Sequence, residues 1–85
     1  MIIGKVIGSV VSTRKNENLV GSKFMVVEPA HKTGNGNNVA VDNVGAGIGE
    51  YVLVATGSAA RIGCNMETAP VDAAIVGIVD DGANI

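Results

Sequence analysis

Eighty-five residues make one small domain, 1–85, and a chain this short buries only about 60–65% of the surface its unfolded form exposes; yet 47% of the residues are hydrophobic, 16% are charged and Phe24 and Tyr51 are the only aromatics. So much apolar material over so limited a core predicts surface buried against partner subunits. The net charge of -2 lacks the basic footprint of phosphate-backbone binding and argues against nucleic acid, and the single Cys64 excludes an internal disulfide framework.

In chain order, Met-Ile-Ile-Gly-Lys opens without a basic leader and apolar block, giving the expectation of a mature cytoplasmic protein. No run approaches the roughly 20 consecutive apolar residues of a membrane helix, so a soluble protein is expected. Ile2 to Thr13 alternates two residue sets, and the wholly non-polar set Ile2, Gly4, Val6, Gly8 and Val10 predicts the core face of a long, curved strand. Arg14 to Glu17 reads as a polar surface loop. Lys23 to Glu28 is a second strand, stopped by Pro29, which cannot donate to a ladder. Ala30 to Asn38 is a Gly/Asn-rich loop carrying His31, expected in solvent for want of neighbouring metal ligands.

Asn38 to Asn43 and Glu50 to Thr56 predict the third and fourth strands, joined by the turn Gly45-Ala46-Gly47-Ile48-Gly49. Gly57 to Arg61 suggests one helical turn with Ser58 as its N-cap, followed by irregular chain to Pro70. Val71 to Asp80 reads as a fifth strand, apolar enough to be covered on both sides. Asp80-Asp81-Gly82 turns the chain before a short tail. Five strands with glycine bends and one helical turn predict an all-β fold, a small five-stranded OB-like β-barrel.

The glycine turn invites a nucleotide-binding reading, which its spacing rejects. A dinucleotide fingerprint needs G-x-G-x-x-G opening a helix, whereas here G-x-G-x-G leads into the β-branched EYVLVAT. Positive φ and close backbone packing explain Gly45, Gly47 and Gly49 better. No catalytic triad can be assembled around His31, and Asp80 and Asp81, as strand neighbours, point apart. Neither a catalytic, a metal nor a cofactor site is expected. Asp42, Glu50, Arg61 and Asp72 flank apolar runs, where an ion needs a partner, and a pair involving Arg61 is expected within a subunit or across an interface.

VAVDNVGAGIGEYVLVATGSAAR followed by PVDAAIVGIVD, with GKVIGSVVST and NLVGSKFMVVEP before them, resembles the EutN/CcmL family of bacterial microcompartment vertex proteins over nearly the whole chain. The resemblance implies an OB-like barrel that forms a cyclic homopentamer at the fivefold vertices of a polyhedral shell, beside hexameric facet proteins, with a structural and not a catalytic role. Gly45, Gly47, Gly49, Glu50, Arg61 and Asp72 are the candidate turn or subunit-interface residues, and on this resemblance the apolar faces of the first and fifth strands offer surface to bury. The short segment after Asp80 favours a catabolic microcompartment over a carboxysome. The competing reading is a small OB-like binding module for a protein or nucleic-acid partner.

Overall fold

The computed structural model describes residues 1–31 and 36–80. The expected turn and tail beyond Asp80, and much of the Gly/Asn-rich loop, lie outside those residues. Five strands, β1 (Ile2–Val10), β2 (Lys23–Pro29), β3 (Asn38–Asp42), β4 (Tyr51–Thr56) and β5 (Ala73–Ile78), close into a barrel in the spatial order β1-β2-β3-β5-β4. All neighbours run antiparallel except β3 and β5, whose parallel pairing spans only Val41↔Ala74 and Asp42↔Ile75.

The alternation along β1 drives Gly4 and Val6 inward, and there it stops governing the strand. A bulge between Val6 and Gly8 in the pairing with β2 leaves Ile7 without a register partner and 42% exposed. The expected inward set therefore ends at Val6, Val10 is exposed, and the strand stops three residues before Thr13. Gly4 has a steric role: a Cβ there would press on Val27 and stand 2.9 Å from the Glu28 carbonyl oxygen. Pro29 is the last residue of β2, paired with Gly4, and the ladder continues one step through Ala30 N–H to the Ile3 carbonyl. Lys5 and Tyr51 face each other across β1 and β4, with the ammonium 5.8 Å from the ring centre.

Two hydrophobic clusters share the strands between them. The barrel interior holds Val6, Met25, Val27, Ala40, Val52, Val54, Ala73 and Ile75, closed by Ala46. Its largest fully buried side chains are one isoleucine and four valines, a size suited to the narrow bore of five strands. The second cluster lies outside the barrel wall, where α1 (Ser58–Gly63) and the chain after it lay Ala60, Cys64, Ala69 and Val71 over Val41 and Ala74. β5 is thus covered from both sides over Ala73–Ile75, the reason it lacks a polar face. It has little left to offer a partner, contrary to the expectation for the fifth strand; only Ile78 at its end is exposed.

The helix start differs from expectation. Gly57, at φ 66°, is the N-cap, and Ser58 is the first helical residue with no capping bond from a side chain. The Gly57 N–H is held by the Asp72 carbonyl at 2.8 Å, which extends the β4–β5 pairing and leaves the helix to start one residue later. The polar segment after β1 also contains a single 3-10 turn, Glu17–Leu19, capped by the Asn16 side chain accepting from Asn18 N–H.

Candidate subunit interface

β3 ends on Asp42, the one buried charged residue among those described, at 7% exposure. Its side chain follows Ala40 to the inner side of the strand and is met there by the chain that turns back over the barrel mouth. Oδ1 accepts from the N–H groups of Val44 (3.0 Å) and Gly45 (3.1 Å), and Oδ2 accepts from that of Ala46 (2.9 Å). Three successive N–H groups around one carboxylate form a concave anion cradle, supplied within the chain. Gly45, at φ 83°, permits the reversal that aims them inward. Ala46 drops into the barrel core as a result, 1% exposed.

The far half of the turn is fixed as firmly. Glu50 Oε1 accepts from Gly47 N–H at 2.6 Å, Glu50 N–H donates to the Gly47 carbonyl at 3.1 Å, and Gly49 occupies the third turn position at φ 95°. Val6 of β1 then anchors the end, donating to the Glu50 carbonyl (2.9 Å) and accepting from Gly49 N–H (2.8 Å). Between these anchors the turn presents Ile48, 68% exposed, and Val44, 43% exposed. A rigid backbone holding an aliphatic side chain in water is a surface prepared for contact.

Gly47 differs from its neighbours. Its φ is not positive, contrary to the expectation for all three glycines; a Cβ there would sit 3.2 Å from Glu50 Oε1, the end of a flexible side chain. Gly49→Ala, which forces a side chain into the left-handed region, is expected to cost about 1–2 kcal/mol. Gly47→Ala should cost less than half of that, and equal losses in denaturant unfolding would refute the distinction.

Arg61 and Asp72 belong to a second feature, joined to the start of this turn by the Asn43 side chain, which donates to the Cys64 carbonyl at 3.0 Å. Leu19, Phe24, Val39, Val41, Pro70, Val71, Asp72 and Ala73 line a groove of about 190 Å³ where β3 and the chain entering β5 diverge. Val39, 53% exposed, is on its open side. Arg61, half-buried, donates from Nη1 to the Val71 carbonyl at 3.3 Å and so stands at the groove's edge. No carboxylate pairs with it among the described residues: the one ion pair there is Lys23 to Asp42, at 3.9 Å. Glu50 and Arg61 thus form no ion pair within one chain among the described residues. Asp42, one of the four charges expected to need a partner, finds it in the backbone of its own following turn; an Asp followed closely by Gly is the sequence signal for such a bond.

His31 is exposed and Cys64 is buried at 6% exposure, with its Sγ 3.8 Å from the Arg61 carbonyl. Neither aromatic forms a stacking platform: Phe24 packs on the outer cluster and Tyr51 lies half-buried beside Lys5.

The model of the family described as ethanolamine utilisation protein EutN/carboxysome matches residues 1–80. The bacterial microcompartment shell vertex protein GrpN of Rhodospirillum rubrum is 51% identical over 84 residues, covering 94% of this chain and 93% of the relative. The carboxysome shell vertex protein CcmL of Gloeobacter violaceus is 45% identical over 83 residues, covering 94% and 83%. The solved structure described as GrpN pentameric microcompartment shell protein from Rhodospirillum rubrum superposes with a TM-score of 0.83 at 49% identity, covering 95% of both chains.

Proposed function

Because the chain belongs to the EutN/CcmL family, we propose that it is a shell vertex protein of a bacterial microcompartment, a structural subunit that assembles into a cyclic homopentamer. The observation that carries this reading is the near-complete match, in sequence and fold, to a pentameric shell protein. The geometry supports it. In the closed barrel each strand is paired on both sides over part of its length, so association falls largely to side-chain patches, and two apolar ones are exposed, Ile48 on the turn and Val39 beside the groove. Two distinct surfaces suit a ring, in which each subunit gives one and receives another.

A flat sheet of hexagons cannot close without pentagons. A fivefold ring supplies them, and its partners are then the hexameric proteins of the facets. The role asks for no bond-making chemistry, and the subunit works by shape, as a corner.

Native mass spectrometry or sedimentation of the purified protein tests the reading. The expected species has five times the 8.5 kDa subunit mass. A stable monomer, dimer or hexamer at micromolar concentration would refute it.

A further inference from the structure

We draw no further inference here: the strongest candidate, the cleft between the end of β1 and the start of β2 where Val10, Val11 and Phe24 stand beside Lys15 and Lys23, is exposed apolar and basic surface on an assembling subunit, and nothing in the structure shows what covers it.

Discussion

Replacing Asp42 with alanine is expected to remove about 2–4 kcal/mol of folding stability, a large part of what a chain of this length has, since domains hold only about 0.05–0.15 kcal/mol per residue. The carboxylate accepts three N–H groups and is itself 7% exposed. On truncation, Val44 and Gly45 can turn to water, since both are exposed, but Ala46 N–H is buried with its residue and loses its acceptor. Asp42→Asn should lose about half as much: its oxygen can still serve two donors, while its amide nitrogen faces the third. Lys23→Ala should change stability by less than about 1 kcal/mol, because an ammonium with 57% of its side chain exposed at 3.9 Å gains little from a carboxylate already satisfied. Denaturant unfolding at fixed protein concentration measures all three, since assembly adds to apparent stability. An alanine variant within about 0.5 kcal/mol of the parent would mean that the cradle is dispensable.

Gly4→Val is the second large effect, expected at about 3 kcal/mol, or roughly 12–24 °C in melting temperature for a domain of this size. The added Cβ meets Val27 and, at 2.9 Å, the backbone oxygen of Glu28, so relief requires β2 to move away from β1. Backbone in a closed barrel has nowhere cheap to go. Gly8→Ala is the control four residues along the same strand: a Cβ there meets nothing within 4 Å, and the substitution should be neutral or slightly stabilising through reduced freedom of the unfolded chain. If the two positions responded alike, the contact at Gly4 would not be the cause.

The barrel was legible in the sequence because its signals are local. Alternation marked β1, Pro29 marked the end of β2, and the unbroken apolar run marked β5 as covered on both faces. The points that escaped are those where a long-range contact decides a local choice. Nothing in Val6-Ile7-Gly8 announces a bulge, since the register slip belongs to the pairing with β2. Ser58 looked like a helix cap by composition, yet the Asp72 carbonyl holds the preceding residue. Asp42 read as a charge needing a partner, and the nearest candidates by type were cations; three amides of its own turn met the need instead. Of the candidate interface residues, the glycine turn with Glu50 and the pair Arg61 and Asp72 fall into two groups with no ion pair between them among the described residues, and Ile48, the side chain that the turn exposes, drew no notice because a lone isoleucine between glycines carries no pattern.

The strand order has a consequence in time. β5 lies between β3 and β4 although it is the last of the five along the chain, so β3 and β4 each wait with an unpaired edge until residues 73–78 have been synthesised. Until then the nascent chain presents two open, valine-rich strands and an unfilled bore, the condition in which a strand from another chain is the readiest partner. A subunit that docks β5 quickly is therefore the less exposed to pairing with another chain. The strand that arrives last is the one that removes both open edges at once.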